Sequence, residues 1–281
     1  MIHWETTLVK TTRGNFEVFT KGEGEPICVT HLYSEFNETG DYFASTFTKT
    51  NQVYLVNLRE TGNSARAQEP FQLSMIETIF DLEAIREALG YSKWGFAGHS
   101  TGGMLGIIYG IYYSKSLLFN ILVGSAAREY ATFSRECIYN SEHPKFNRMQ
   151  ELIETLKQPN LAKEERDRLT MERTKLSLYN PSKYEEYFSL SIKKKMSAIR
   201  MNYFNRELVI FDVTRKLHLI TSPTFIACGK HDVQCPLSYS LELHEGIQNS
   251  KLSMFETSNH YPFLEEKELF LEEWNDFLNS I

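Results

Sequence analysis

The sequence lacks an excess of basic residues. Its 281 residues include 30 Lys and Arg against 36 Asp and Glu, a formal net charge of -6, and no basic block interleaved with aromatic residues is present. A protein that binds nucleic acid through its phosphates needs a basic surface, so this composition argues against a nucleic-acid partner. We expect a small-molecule substrate instead.

We also expect no membrane segment, no secretory signal and no disulfide framework. No uninterrupted apolar run approaches the roughly 20 residues of a membrane-spanning helix, and residues 1–7 have neither the basic nor the apolar region of a secretory signal. The chain contains four cysteines: Cys28, Cys137, Cys228 and Cys235. We therefore expect reduced thiols, no membrane partner and a cytoplasmic location.

What the chain does contain is enough apolar material for a large core, since 42% of its residues are hydrophobic and 13% are aromatic. Residues 6–20 alternate as a β-hairpin does, with a turn at Arg13 and Gly14. Short apolar runs then alternate with segments of helical period, which predicts an α/β fold with a mostly parallel sheet and helices on both faces. The predicted strands are 26–31, 53–58, 94–98, 119–124, 223–229 and 251–255, and the predicted helices are 41–48, 74–89, 104–113 and 265–278.

Residues 127–211, called the cap segment below, have a different character. They are rich in charged residues, Tyr, Phe and Met, and they have helical spacing, as in 149–156 and 162–178, with almost no strand pattern. We interpret them as a helical cap inserted into a core made of residues 1–126 and 212–281.

The most informative motif is G-x-S-x-G at residues 98–102, which follows an apolar run and precedes an apolar segment rich in small residues. A strand, a sharp turn and a helix in this order are typical of a nucleophile elbow, with Ser100 at its apex. The glycines let strand and helix approach closely. The Thr101 N–H would lie at the helix N-terminus, where it can stabilise an oxyanion.

Two later loops supply the partners that a nucleophilic serine needs. Asp232 directly follows the strand predicted at 223–229, and His260 follows the strand at 251–255. Catalytic residues gather at the carboxyl ends of parallel strands, and the order Ser, Asp, His is the one this motif requires. We therefore predict a triad in which His260 exchanges the proton of Ser100 and Asp232 orients the imidazole.

A second oxyanion donor should come from the loop after the strand that ends at His31. We assign it to the backbone N–H of Tyr33, with that of Leu32 as the alternative. Because a backbone donor needs no particular side chain, its place in the loop is the whole basis for this choice.

Other side chains compete for these roles. His99 flanks the serine, where packing or a supporting hydrogen bond is expected rather than proton transfer. The spacing of Cys228, His231 and Cys235 suggests zinc, but three candidates without a second cluster do not complete a four-ligand site. We therefore predict no metal site.

Together these residues resemble the α/β-hydrolase superfamily over nearly the whole chain. The motifs at 98–103, 229–232 and 258–265 are similar to those of the branch that holds proline iminopeptidases and carboxylesterases. The resemblance implies a pocket between sheet and cap, no cofactor and an acyl-enzyme on the serine.

The chain departs from the iminopeptidase pattern at several points. The oxyanion loop at 31–35 reads HLYSE instead of H-G-G-P-G, the nucleophile motif is not G-G-S-W-G, and residues 57–64 match D-x-R-G-x-G-x-S only loosely. These differences favour ester hydrolysis. An aminopeptidase would also need carboxylates for the substrate amine; Glu129 and Glu136 are candidates, although a solvated cap surface is the expectation for both.

Our leading hypothesis is thus a serine hydrolase that cleaves a small, largely apolar carboxylic ester. An iminopeptidase or amidase is the alternative within the class, and a non-catalytic ligand-binding protein is the alternative outside it. A cofactor-free lyase on the same scaffold also stays open, whereas a haloalkane dehalogenase would need a carboxylate in place of Ser100. The sequence does not specify the oligomeric state.

Overall fold

A computed structural model of the protein describes residues 4–158 and 160–281. Residues 1–3, part of the stretch used above to argue against a secretory signal, lie outside the described residues. The described chain begins with the predicted hairpin, in which strand β1 (Glu5–Thr11) pairs antiparallel with strand β2 (Gly14–Lys21). Gly14 has a φ of 133°, a conformation that glycine adopts without a Cβ clash.

The hairpin forms one edge of a central sheet that has eight strands within the described residues. The remaining strands of this sheet are β3 (Glu25–Val29), β5 (Asn51–Val56), β6 (Trp94–His99), β7 (Leu117–Val123), β9 (Thr224–Gly229) and β10 (Ser250–Phe255). The order is β1-β2-β5-β3-β6-β7-β9-β10, and every pair from β5 to β10 is parallel. The predicted mostly parallel sheet is confirmed.

Helices cover both faces of the sheet. They are α1 (Tyr42–Phe47), α2 (Met75–Ala88), α3 (Thr101–Tyr113), α8 (Leu237–Gly246), α9 (Pro262–Glu265) and α10 (Lys267–Leu278). Helix α2 begins where the sequence predicts, because the Ser74 hydroxyl accepts a hydrogen bond from the Glu77 N–H. On the opposite face, α10 buries the aromatic side chains expected of the closing helix: Phe270, Trp274 and Phe277.

The cap segment leaves the sheet after β7 and returns before β9. It contains helices α4 (Phe146–Leu156), α5 (Lys163–Lys175), α6 (Tyr184–Tyr187) and α7 (Ala198–Leu208). Its two ends run side by side, since the Val213 N–H donates to Ala127 O at 2.8 Å and the Glu129 N–H donates to Phe211 O at 2.9 Å.

One short strand in the cap segment was not predicted. Strand β8 (Lys195–Met196) pairs antiparallel with strand β4 (Ser34–Glu35), which belongs to the loop after β3. Two residues are too few to leave a period in the sequence, so no pattern predicts this contact. In the described part of the chain, no helix is long and apolar enough to cross a membrane.

Candidate active site

Ser100 occupies the turn between β6 and α3 with a strained backbone. Its φ is 56° and its ψ is -121°, and among the described residues only Glu60 shares a positive φ without being glycine. Its N–H donates to Val123 O at 2.8 Å. A Cβ at Gly98 would overlap the backbone of Gly102. The glycines therefore permit the close packing of strand and helix that holds the serine in this conformation.

His260 and Asp232 form a buried pair at the carboxyl ends of β10 and β9. The Asp232 Oδ2 lies 2.8 Å from His260 Nδ1. The other carboxylate oxygen, Oδ1, accepts hydrogen bonds from the N–H groups of Gln234 at 2.8 Å and Cys235 at 2.9 Å. A carboxylate in this place keeps the proton on Nδ1 and leaves Nε2 as the atom able to accept one.

The backbone of His260 is also fixed from both sides. Its N–H donates to Ser177 O of the cap segment at 3.3 Å, and its carbonyl accepts a hydrogen bond from His99 Nε2 at 2.7 Å. Burial lowers the pKa of His99 well below its usual value, so His99 is a neutral donor that holds the next loop. In the described part of the chain, no hydrogen bond joins Ser100 Oγ to the His260 ring, and such contacts commonly tighten only when substrate binds.

The predicted oxyanion donors lie on either side of the His31 ring. Nε2 of this ring is 3.1 Å from Thr101 Oγ1, and Nδ1 is 2.9 Å from Ser34 Oγ. The Thr101 N–H is in the first turn of α3, where backbone donors have no partner within the helix. The Tyr33 N–H approaches His31 Nδ1 at 3.5 Å. That contact is too long to be strong, so a charged oxyanion would compete for the donor.

Arg200 of α7 supports this loop and was not identified from the sequence. The guanidinium is buried and donates from Nε to Leu32 O, from Nη1 to Arg59 O at 3.0 Å, and from Nη2 to Thr78 Oγ1 at 2.9 Å. All three acceptors are neutral oxygens, and burial lowers the pKa of Arg200 to about 10. Nearby, the Ser197 N–H donates to Tyr33 O at 2.8 Å. The cap segment thus holds the oxyanion loop.

A polar network from the cap segment and the β9 loop lies over His260. The Tyr139 hydroxyl donates to Gln234 Oε1 at 2.8 Å, and Gln234 Nε2 donates to Ser177 Oγ at 2.9 Å. The ring centroid of Tyr261 lies 5.3 Å from that of His260. None of these residues has a sequence motif that marks it, because the contacts join distant parts of the chain.

The two acidic candidates of the cap segment have different surroundings. We expected Glu129 on a solvated surface, but it is buried. Its carboxylate accepts hydrogen bonds from Thr132 N at 2.9 Å and from Thr132 Oγ1 at 2.7 Å. Glu136 is exposed and lines an outer groove of about 660 Å³ together with His231 and Asp232. The expectation for Glu129 was wrong because its loop folds inwards.

The structure also shows where the three candidate zinc ligands, Cys228, His231 and Cys235, lie. Within residues 4–158 and 160–281, no three His, Cys, Asp or Glu side chains are grouped as a metal site requires. Cys228 and Cys235 are buried free thiols, whereas the His231 ring packs against Tyr179 at 4.8 Å in the outer groove.

Comparisons with known proteins agree with this geometry. The family model described as the alpha/beta hydrolase fold matches residues 31–267. A proline iminopeptidase of Saccharolobus solfataricus is 28% identical over 230 residues, 78% of this chain and 73% of the relative. One of Clostridioides difficile is 24% identical over 243 residues, 82% and 80% of the two chains. The solved structure of an alpha/beta fold family hydrolase from Bacillus anthracis str. Sterne superposes with a TM-score of 0.94 at 47% identity, over 98% of this chain and 99% of that one.

Proposed function

The chain belongs to the alpha/beta hydrolase family and is a hydrolytic enzyme, and from this premise we propose that Ser100, His260 and Asp232 are its catalytic triad. The observation that carries the proposal is the backbone of Ser100, whose φ of 56° and ψ of -121° form a strained elbow at the start of α3. Such strain in a non-glycine residue persists where the surrounding structure enforces it, and it is concentrated at functional sites.

The proposed reaction proceeds through an acyl-enzyme. His260 Nε2 takes the proton of Ser100 as Oγ attacks the carbonyl carbon, and the N–H groups of Thr101 and Tyr33 stabilise the resulting oxyanion. Collapse of this intermediate expels the alcohol, which receives the proton from His260. A water molecule then attacks the acyl group with His260 as base, which releases the acid and restores Ser100. Asp232 holds the imidazole and stabilises its protonated form.

We further propose that the cap segment covers this site and shapes a pocket for a small molecule. Two contacts support the arrangement. The Tyr33 ring packs against Phe204 of α7 with centroids 5.7 Å apart, and Ser177 O accepts the backbone hydrogen bond of His260. The core of residues 1–126 and 212–281 would then carry the chemistry, and the cap segment would select the substrate.

The bond that we propose is cleaved is a carboxylic ester. An aminopeptidase needs carboxylates that are free to bind the substrate amine, but Asp232, Glu129 and Glu265 already have other partners. Asp232 binds His260 and two N–H groups, Glu129 caps Thr132, and Glu265 accepts from three backbone N–H groups. The second candidate, an iminopeptidase, is favoured by the names of the curated relatives.

Fluorophosphonate labelling tests the proposal. The reagent phosphonylates an activated serine with loss of fluoride, and intact mass spectrometry counts the adducts. We expect one adduct on the wild type and on the exposed control Ser92→Ala, and none on Ser100→Ala or His260→Ala. Turnover of 4-nitrophenyl acetate, compared with proline 4-nitroanilide, separates the two candidates. No adduct and no turnover of either substrate would refute the triad, and turnover of the anilide alone would refute the esterase.

A further inference from the structure

Arg200 differs from the two other arginines that are buried in the described part of the chain. Arg59 pairs with Asp81 at 2.9 Å, and Arg86 pairs with Glu83 at 2.8 Å. Arg200 is 2% exposed, and within residues 4–158 and 160–281 its guanidinium forms no ion pair and donates only to neutral oxygens. A buried charge without an opposite charge is costly, so the groups that accept its hydrogen bonds show where the charge acts.

One of these acceptors is half of a peptide group in the oxyanion loop. Arg200 Nε donates to Leu32 O, and the same peptide group carries the N–H of Tyr33, which is the proposed second oxyanion donor. Because a peptide group is planar and trans, its C=O and its N–H point in opposite directions. The guanidinium therefore lies at one end of this peptide dipole, and the proposed oxyanion donor is the other end.

The Tyr33 N–H points to the side of the loop where the other proposed donor lies. It approaches Nδ1 of the His31 ring at 3.5 Å, and Nε2 of that ring is 3.1 Å from Thr101 Oγ1. The next carbonyl of the loop, Tyr33 O, accepts from the Ser197 N–H of the cap segment at 2.8 Å. The two successive carbonyls of the loop are thus held from the cap, whereas the Tyr33 N–H has only a weak partner.

The guanidinium is itself fixed in place. Its Nη1 donates to Arg59 O at 3.0 Å and its Nη2 donates to Thr78 Oγ1 at 2.9 Å, so core residues hold the two remaining nitrogens. Burial lowers the pKa of Arg200 only to about 10, which leaves the side chain charged at neutral pH. The charge at Leu32 O is therefore present and oriented before any substrate arrives, as electrostatic stabilisation of a transition state requires.

We propose that Arg200 is a positioning residue whose charge strengthens the oxyanion hole by polarising the peptide group between Leu32 and Tyr33. The proposal rests on the hydrolase mechanism proposed above and adds a residue to it. A hydrogen bond from a charged donor is stronger than a neutral one, and hydrogen bonds in a chain polarise one another. The Tyr33 N–H becomes a stronger donor, and the gain is largest when the acceptor carries a full negative charge, which happens only during acyl transfer.

Fluorine NMR of a ketone adduct tests this role. Trifluoroacetophenone has no leaving group, so Ser100 Oγ adds to its carbonyl carbon and the reaction stops at a hemiketal. The hemiketal oxygen loses its proton as the pH rises, and the fluorine chemical shift follows that loss. One pH unit in the midpoint of this titration is a tenfold change in the stability of the oxyanion relative to its protonated form. Only folded, labelled protein gives the signal, so a loss of active protein does not move the midpoint.

Three substitutions separate the charge of Arg200 from its anchoring contacts. Arg200→Lys keeps the charge but not the three contacts, whereas Arg200→Gln and Arg200→Met lose both. The two neutral variants should raise the midpoint by about one to two units and lower kcat/KM for 4-nitrophenyl acetate by about 10- to 100-fold, less than the 10²–10³ of a missing donor because the N–H remains. Arg200→Lys should raise the midpoint by less than about half a unit. Arg86→Gln, which removes a buried guanidinium of α2, is the control and should leave the midpoint unchanged.

The outcomes distinguish this proposal from the catalytic one. A midpoint that is the same in the wild type and in the neutral variants would overturn the role of Arg200. A rise of about one unit or more in Arg200→Lys would overturn it too, because anchoring rather than charge would then explain the effect. An adduct that forms on the wild type and not on Ser100→Ala supports the proposed nucleophile whatever the midpoints are. No adduct on the wild type would refute the proposed hydrolase mechanism itself.

Discussion

Replacing Asp232 by Asn should disable the active site while leaving the fold intact. The Asp232 Oδ1 faces the two N–H donors of Gln234 and Cys235, and Oδ2 faces His260 Nδ1. An asparagine of the same shape must direct its carbonyl oxygen to the two donors, which places its NH₂ group against Nδ1. That group donates to Nδ1, so the ring proton moves to Nε2, where it prevents His260 from accepting the proton of Ser100.

The size of the effect follows from the alternative orientation of the amide. Turning the NH₂ group towards Gln234 and Cys235 would leave two buried N–H groups without acceptors, at a cost of about 1–3 kcal/mol each. The reactive tautomer is then disfavoured by about 2–6 kcal/mol, or about 30-fold to 20,000-fold. Loss of the carboxylate charge that stabilises the imidazolium adds to this. We expect kcat/KM to fall by about 10²–10⁴.

The assay is turnover of 4-nitrophenyl acetate, with thermal unfolding followed by circular dichroism. Asp276→Asn, which changes an exposed carboxylate on α10, is the matched control and should keep full activity. Asp232→Asn should melt within a few degrees of the wild type because it retains both backbone contacts. A variant that is folded and keeps more than about a tenth of kcat/KM would show that Asp232 does not set the tautomer of His260.

Two further predictions concern stability. Gly98→Ala should lower the free energy of unfolding in urea by about 3 kcal/mol or more and abolish activity, because its Cβ would overlap the Gly102 backbone. The control Gly90→Ala, with φ of 82° but no atom within 4 Å of the added Cβ, should lower it by only about 1–2 kcal/mol. Equal losses in the two variants would contradict the packing argument. Because burial lowers the folded-state pKa of His99 well below 6.5, the unfolded chain takes up a proton first as the pH falls. Stability should therefore decrease below pH 6.5 by up to about 1.4 kcal/mol per pH unit from this group, and His99→Gln should reduce that slope; an unchanged slope would show that folded His99 protonates normally.

Much of the architecture could be predicted because local chemistry determines it. The hairpin, the start of α2 at Ser74 and the buried face of α10 follow from alternation, capping and helical period. The sharp turn at Ser100 could also be predicted, because only glycines allow the strand and the helix to approach so closely. The proximity of Asp232 and His260 could be predicted because the carboxyl ends of parallel strands meet at one edge of the sheet.

The contacts that tune the site could not be predicted in this way. Arg200 stands among many charged residues of the cap segment, and nothing in its spacing separates it from neighbours that face solvent. Strand β8 is too short to have a period. The inward turn that buries Glu129 depends on the pairing of the two ends of the cap segment. Each of these features arises from packing between residues that are far apart in the chain.

The attachment of the oxyanion loop to the cap segment has a consequence for the catalytic cycle. Leu32 is held by Arg200, and Ser34 and Glu35 pair with strand β8, so a swing of α7 away from the sheet would withdraw the support of the loop. An open molecule would admit substrate but could not stabilise the charge that develops during acyl transfer. In the proposed mechanism, substrate entry and bond cleavage would then occur at different times, and the bond would be attacked only after the cap segment had closed over it.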